Sequence, residues 1–183
     1  MNENILETER FILREIIPAD VDGLFDLDSD PEVHRFLGKN PVSDKSQIVE
    51  AIHLIRQQYI DNGIGRWAII SKDKNEFIGW SGLKLVTDIT NNHKNYYDLG
   101  YRLIKKYWGK GIATETALAS LKYAFNELNA GEVFAMADCE NFASNKILKK
   151  VGFHFIETFD IDGIQHNWYR IDRNKFENKK SNT

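Results

Sequence analysis

The chain has 183 residues, of which 42% are hydrophobic and 28% charged, and these proportions are typical of a globular protein that buries a substantial core. Its net charge of −3 gives the surface no overall attraction for nucleic acid or an anionic membrane, and a single cysteine, Cys139, excludes an internal disulfide and a cysteine-rich metal site. We therefore expect no metal, no nucleic-acid partner and no membrane partner. The first ten residues carry acids where a secretory signal peptide carries bases, so we expect a cytoplasmic protein.

The spacing of apolar residues predicts strands and helices that alternate along a single domain over residues 1–183. In chain order these are a strand over 10–16, short helices over 18–30 and 31–38, a helix over 43–62, a hairpin over 66–86, a strand over 96–104, a helix over 112–128, a strand over 132–138, a short helix over 142–150 and a hairpin over 153–171. Gly79 and Gly82, inside the first hairpin, indicate a bulge or a close approach by another backbone or a ligand. Residues 173–183 are expected to form a frayed tail.

Two glycines, Gly109 and Gly111, lie between the strand over 96–104 and the helix over 112–128. The stretch has the spacing of neither a Walker loop nor a dinucleotide fingerprint. Because the first N–H groups of a helix have no intrahelical partner and glycine lets the backbone approach a ligand, this turn predicts a phosphate site. An ordinary strand-to-helix turn with a solvated basic rim is the alternative.

Three stretches in the same order resemble the GNAT acetyltransferase superfamily. Residues 99–125, LGYRLIKKYWGKGIATETALASLKYAF, are similar to its central acyl-CoA-binding motif, whose pyrophosphate loop reads Gln/Arg-x-x-Gly-x-Gly/Ala; here Lys106 takes the first position. Residues 141–153, NFASNKILKKVGF, are similar to its second motif. Residues 7–38 resemble the opening of the branch typified by the ribosomal-protein N-terminal acetyltransferases, the RimJ/RimL type.

This resemblance implies an α/β (α+β) GNAT fold. Its central sheet is mixed, mostly antiparallel and splayed, with about six or seven strands and about four flanking helices. The same resemblance implies that acetyl-CoA is the co-substrate. The end of the strand over 96–104, at Leu103 and Ile104, would offer backbone groups to the pantetheine arm. Asn141 matches a position that hydrogen-bonds the pantetheine, and it also suits a helix N-cap. The pyrophosphate would be held by the backbone N–H groups of Gly109, Lys110, Gly111, Ile112, Ala113 and Thr114.

The expected catalytic residues are Asp98 and Ser144. Many relatives carry a tyrosine in the second motif, where this chain has Leu148. Ser144 is the available substitute, predicted to hydrogen-bond the departing sulfur; a small, well-packed helix serine is the alternative. Asp98 takes a position where relatives commonly have glutamate, and because its side chain is one methylene shorter we expect it to act as the base through a water. A surface-facing acid is the alternative for Asp98.

The activity implied by the resemblance is acetyl-CoA-dependent N-acetyl transfer, by direct attack of a primary amine in a ternary complex. The expected acceptor is the α-amino group of a peptide or protein N-terminus, or of a small amino compound. Acceptor recognition is expected from the loops over 36–45 and 87–95 and from the C-terminal hairpin. Two rivals stay open: an acyl-CoA-binding module with weak or lost catalysis, and a phosphate-loop protein for another nucleotide. The chain is expected to be a monomer or a homodimer.

Overall fold

Eight strands form one mixed sheet in the computed structural model of this chain, which describes residues 4–180 and the side chains of residues 5–178. In chain order they are β1 (Asn4–Glu7), β2 (Phe11–Glu15), β3 (Arg66–Ser71), β4 (Phe77–Val86), β5 (Tyr96–Leu103), β6 (Glu132–Asp138), β7 (His154–Ile161) and β8 (Ile164–Asp172). Across the sheet the order is β1-β2-β3-β4-β5-β6-β8-β7. The sequence pattern omits β1, a strand of four residues, and so underestimates the sheet by one strand.

Within residues 4–180, five helices flank the sheet: α1 (Val21–Asp28), α2 (Lys45–Asn62), α3 (Ile112–Asn126), α4 (Phe142–Val151) and α5 (Arg173–Lys180). Short 3-10 turns lie at Pro18–Asp20, Val33–Phe36 and Lys105–Tyr107. Asp44 is the N-cap of α2, and its carboxylate accepts a hydrogen bond of 2.7 Å from the backbone N–H of Ser46. Among the described residues, no helix is long and apolar enough to cross a membrane.

The two faces of the sheet carry separate hydrophobic clusters. One face packs against α3 and α4, with Leu103 of β5 and Leu121 of α3 in the same buried cluster. The other face packs against α1 and α2, with Ile70 of β3 and Ile52 of α2 in a second cluster. Because side chains alternate along a strand, each side chain of β5 faces either the layer of α3 and α4 or the layer of α1 and α2.

The parallel contact between β5 and β6 interrupts an otherwise antiparallel sheet. These two strands pair at a single position, Asp98 with Phe134. By contrast, β4 and β5 pair at eight positions, the first of which joins Gly79 to Leu103. The connection between the parallel strands is α3, as a parallel pair requires. The β5–β6 junction is therefore the weakly paired line of the sheet, and α3 and α4 begin beside it.

Gly79 lies at a bulge in β4, as the sequence predicts. The register between β3 and β4 shifts between Ile69 and Ile70, and Gly79 has φ of +150°. A Cβ atom at this position would lie 2.2 Å from the carbonyl oxygen of Arg102 in β5. The close approach by another backbone is confirmed, and a side chain is excluded there.

The expectation of a frayed tail over residues 173–183 is wrong for residues 173–180, which form α5. Phe176 anchors this helix: it is 4% exposed, and its ring lies 5.0 Å from the ring of Phe125 in α3. Arg173 adds a hydrogen bond of 2.7 Å to the side-chain oxygen of Asn129. One buried aromatic ring in a polar segment gives no periodic pattern, which is why the sequence shows no helix here. Residues 181–183 lie outside the described residues.

Candidate active site

A cavity of about 370 Å³ opens beside the C-terminal end of β5. Its walls come from β5, the glycine turn before α3, the first turns of α3 and α4, and the segment around Val33–Phe36. Elements far apart in sequence therefore meet around one space. The predicted site residues that line it are Leu103, Gly109, Gly111, Ile112, Ala113, Thr114, Asn141 and Ser144.

The glycine turn presents a row of free backbone donors. Gly109 and Gly111 have φ of +74° and +76°, a region that favours glycine. Within residues 4–180, no N–H group from residue 109 to residue 114 donates a hydrogen bond, and the first that does is that of Glu115, to the Gly111 carbonyl at 3.0 Å. The α3 dipole adds partial positive charge at the same end of the helix. This arrangement is suited to an anion such as a pyrophosphate.

Two of the expected cofactor contacts lie outside the cavity lining. The N–H group of Ile104 donates to the Ile78 carbonyl at 3.1 Å, and its carbonyl accepts from Tyr107 at 2.9 Å, so both of its backbone groups are engaged. Lys110 turns its carbonyl toward Arg10, whose Nη1 donates to it at 3.1 Å. Their roles in holding the cofactor stay predictions.

Ser144 and Tyr101 bring two hydroxyl groups together in the cavity wall. The Tyr101 Oη and Ser144 Oγ atoms are 3.1 Å apart, and the phenol also donates to the Ser144 carbonyl at 3.2 Å. Burial raises the pKa of Tyr101 above its ordinary value, so the phenol keeps its proton at neutral pH. The motif analysis missed Tyr101, although its position in β5, two residues from Leu103, places it on the same face.

Asn141 acts as the N-cap of α4. Its side-chain oxygen accepts a hydrogen bond of 3.1 Å from the backbone N–H of Ser144. The capping alternative for Asn141 is thus confirmed. Its expected contact with the pantetheine stays a prediction, and the capping bond leaves the two amide hydrogens of the side chain for it.

Asp98 does not line this cavity. Strand alternation places it on the α1–α2 face, opposite to Tyr101 and Leu103. Its side chain is buried and ion-paired with Arg66, so the alternative of a surface-facing acid is wrong. Burial raises the pKa of the Asp98 carboxyl above its ordinary value, and the charge of Arg66 opposes that rise. The role of Asp98 as a base stays a prediction.

Charged side chains contribute a further part of the cavity wall. Glu32 and Arg102 line the cavity. Arg102 donates a hydrogen bond of 2.6 Å to Asp28, and the same carboxylate oxygen lies 3.5 Å from Nε2 of the buried His34. The sequence analysis did not single out Glu32 or Arg102, although both lie within stretches that carry the family resemblance.

The expected acceptor loops lie in two different places. Phe36 and Leu37, at the start of the loop over 36–45, line the cavity beside β5. Residues 92–95 of the second loop line a separate space of about 490 Å³ at the other end of β5. Within the described part of the chain, no group of three or more His, Cys, Asp or Glu side chains is arranged to hold a metal ion.

Residues 10–154 match a family model described as an acetyltransferase (GNAT) domain. The uncharacterized N-acetyltransferase p20 of Bacillus licheniformis is 33% identical over 148 residues, which cover 81% of each chain. The FsC-acetyl coenzyme A-N(2)-transacetylase of Aspergillus fumigatus is 32% identical over 138 residues, which cover 73% of this chain and 57% of that one.

Solved structures show the same fold at lower identity. A putative GNAT-family acetyltransferase from Bordetella pertussis has a TM-score of 0.79 and 18% identity, covering 92% of this chain and 99% of that one. A spermidine N-acetyltransferase from Vibrio cholerae, solved with CoA and spermine, has a TM-score of 0.75 and 19% identity, covering 93% and 99%. At these identities the likeness bears on the fold alone.

Proposed function

Because this chain belongs to the GNAT acetyltransferase family and is an N-acetyltransferase, we propose that it transfers the acetyl group of acetyl-CoA to an α-amino group. The acceptor is a peptide or protein N-terminus, or a small amino compound, as in enzymes of the RimJ/RimL type. We further propose that the protein works in the cytoplasm, as a monomer or a homodimer.

The observation that carries this proposal is the row of free N–H groups from residue 109 to residue 114. An anion with several oxygens satisfies such donors, and the pyrophosphate of acetyl-CoA is one. Gly109 and Gly111, without side chains, allow the phosphates to approach the backbone. Lys105, Lys106 and Lys110 add positive charge near the turn. Asn141, on the facing helix α4, supports the pantetheine arm.

Acetyl-CoA supplies an acetyl group activated as a thioester. The neutral amine nitrogen bonds to the carbonyl carbon, the carbon–sulfur bond breaks, and the nitrogen loses a proton while the thiolate takes one up. Ser144 and Tyr101 support the departure of the sulfur, because they place two hydroxyl groups in the cavity wall, 3.1 Å apart. Tyr101 keeps its proton, and a rotation of its O–H away from the Ser144 carbonyl would let it donate a hydrogen bond to the developing thiolate.

The acceptor amine is proposed to enter from the side of Glu32 and Leu37. Both residues line the cavity that the glycine turn also lines, so the acceptor and the cofactor would share one space. The relative from Aspergillus fumigatus, an N(2)-transacetylase, and the structural neighbour from Vibrio cholerae, a spermidine acetyltransferase, both act on amines according to their names. These names support an amine acceptor for this chain, but they do not indicate which chemical class of amine it is.

Two measurements on the purified protein test this function. Calorimetry with acetyl-CoA should show stoichiometric binding, and a thiol assay with a panel of peptides, amino acids and polyamines should show CoA release. Lack of acetyl-CoA binding would contradict the cofactor assignment. Binding without thiol release for any amine would favour the rival reading of an acyl-CoA-binding module with weak or lost catalysis.

A further inference from the structure

Arg10 connects the start of β2 with the glycine turn, a hundred residues away in sequence. Its Nη1 donates to the Lys110 carbonyl at 3.1 Å, and its Nε donates to Glu115 Oε2 at 2.7 Å. The backbone N–H of Arg10 reaches the other carboxylate oxygen of Glu115 at 3.2 Å. Three N–H donors of Arg10 thus bind the glycine turn and the first helical turn of α3, and Arg10 itself does not line the cavity.

The contact with the Lys110 carbonyl fixes the direction of the next N–H group. A trans peptide unit is planar, and its C=O and N–H bonds point in opposite directions. When Arg10 holds the Lys110 carbonyl outward, the N–H of Gly111 is aimed the other way, and Gly111 lines the cavity. Glycines flank Lys110 on both sides, so the local chain does little to hold this peptide plane by itself.

The charge of Arg10 is balanced by Glu115. Burial raises the pKa of the Glu115 carboxyl, but hydrogen bonds from Thr8 and Arg10 together outweigh it and bring the pKa below its ordinary value. Glu115 is therefore ionised at neutral pH, and it pairs with Arg10 at 2.7 Å. The guanidinium of Arg10 thus holds the carbonyl of the turn and a carboxylate of α3 at the same time.

We infer that Arg10 is a positioning residue for the pyrophosphate-binding turn, acting through the Lys110–Gly111 peptide. The inference rests on the proposed use of acetyl-CoA. It also predicts that lysine cannot replace arginine, because a lysine keeps the charge but has no planar fork to reach Lys110 and Glu115 together.

The test compares two acetyl donors with Arg10→Ala and Arg10→Lys. For acetyl-CoA, both variants should raise KM by about tenfold, the size expected when hydrogen bonds from a charged group are lost. For S-acetylpantetheine, which lacks the pyrophosphate, kcat/KM should equal that of the wild type. Arg56→Ala is the matched control, because Arg56 also donates to a carbonyl, that of Ile16 at 3.1 Å, and lies near the Glu15 carboxylate, on another part of the surface.

Hydrogen exchange of the free protein gives a second readout that needs no turnover. In both Arg10 variants the hydrogen-bonded amides of the first turn of α3, beginning with that of Glu115, should exchange faster, while those of α4 stay unchanged. An unaltered KM for acetyl-CoA, or an equal loss with both donors, would overturn the positioning role. Failure of the wild type to bind acetyl-CoA would instead contradict the proposed function, and it would be seen before any variant is made.

Discussion

Arg66 and Asp98 form an ion pair between two strands that are not neighbours. Arg66 belongs to β3 and Asp98 to β5, and the arginine side chain crosses β4 to reach the carboxylate. The crossing runs over Gly82 and Gly100, which are paired with each other; a Cβ atom at Gly100 would lie 2.8 Å from the guanidinium. Arg66 also donates to the carbonyls of Gly82 and Asp98. The contacts of Arg66 thus link β3, β4 and β5 beside the weakly paired β5–β6 junction.

Loss of the Asp98 charge is expected to destabilise the protein. Asp98→Asn leaves the buried guanidinium of Arg66 without a counter-charge, and breaking a buried pair in this way costs about 3 kcal/mol of unfolding free energy. Urea denaturation of both proteins at neutral pH measures the difference. The double variant Arg66→Met/Asp98→Leu removes both charges and should recover most of the unfolding free energy that Asp98→Asn loses.

The same variants test whether Asp98 is the base. Once the folded fraction is taken into account, a base role predicts a loss of at least about tenfold in kcat/KM for Asp98→Asn and no recovery in the double variant. A double variant with wild-type kcat/KM would show that the carboxylate only stabilises the sheet.

A side chain at Gly111 is expected to abolish acetyl-CoA binding. Gly111→Asp adds the strain of a non-glycine residue at φ of +76° to the turn, and it places a carboxylate next to Arg10, whose Nη2 lies 3.7 Å from the position of a Cβ atom. Gly163→Asp is the matched control: Gly163 has φ of +82° in the β7–β8 turn, so its strain is similar. Calorimetry should show wild-type affinity for Gly163→Asp and none for Gly111→Asp. Equal affinities would contradict the placement of the pyrophosphate.

Removal of either hydroxyl group of the Tyr101–Ser144 pair is expected to slow acetyl transfer. Tyr101→Phe and Ser144→Ala should each lower the single-turnover rate by about tenfold, with acetyl-CoA affinity little changed. Because the two groups are hydrogen-bonded, the double variant should lose less than the product of the two effects. Tyr97→Phe, on the same face of β5 but outside the cavity lining, is the control. Fully multiplicative losses would mean that the hydroxyl groups act separately.

The fold was predictable because its signals are local. The helix stripes, the left-handed glycines and the Asp162–Gly163 turn are determined by neighbouring residues, and the motifs fixed the glycine turn and the start of α4. The contacts of Arg10, Tyr101 and Glu32 depend on which distant elements meet, and one sequence carries no record of that. Asp98 illustrates the limit: its place in β5 was correct, but its partner Arg66 is 32 residues away and two strands across.

Glu32 is expected to contribute to binding of the amine acceptor. Among the described residues that line the cavity it carries the sole carboxylate. Glu32→Gln should raise the acceptor KM severalfold and leave the affinity for acetyl-CoA unchanged. Glu50→Gln, at an exposed position on α2, is the control. An altered affinity for acetyl-CoA with an unaltered acceptor KM would place the amine elsewhere.

The protonation of the acceptor predicts a preference for α-amines over lysine side chains. An α-amino group has a pKa of about 7.7–8.0 and a lysine side chain about 10.4, so at pH 7.5 roughly a quarter to two-fifths of the former is neutral, against about one part in a thousand of the latter. A lysine substrate therefore needs a strong base at the reacting nitrogen.

The described residues in and around the cavity offer little that could act as such a strong base. The carboxylate of Asp98 is paired with Arg66 and does not line the cavity, and both ring nitrogens of His34 are buried. Glu32 is exposed to solvent. We therefore expect mass spectrometry of a mixed pool, containing peptides with free α-amines and N-terminally blocked peptides with lysine, to show acetyl groups mainly on the α-amines. The preference for α-amines over lysine should decrease as the pH rises toward 9.5, because the neutral fraction of lysine increases about tenfold per pH unit while that of the α-amine saturates.

Predominant acetylation of lysine at pH 7.5 would show that a stronger base acts at the nitrogen. The variants Asp98→Asn and Glu32→Gln would then identify that base.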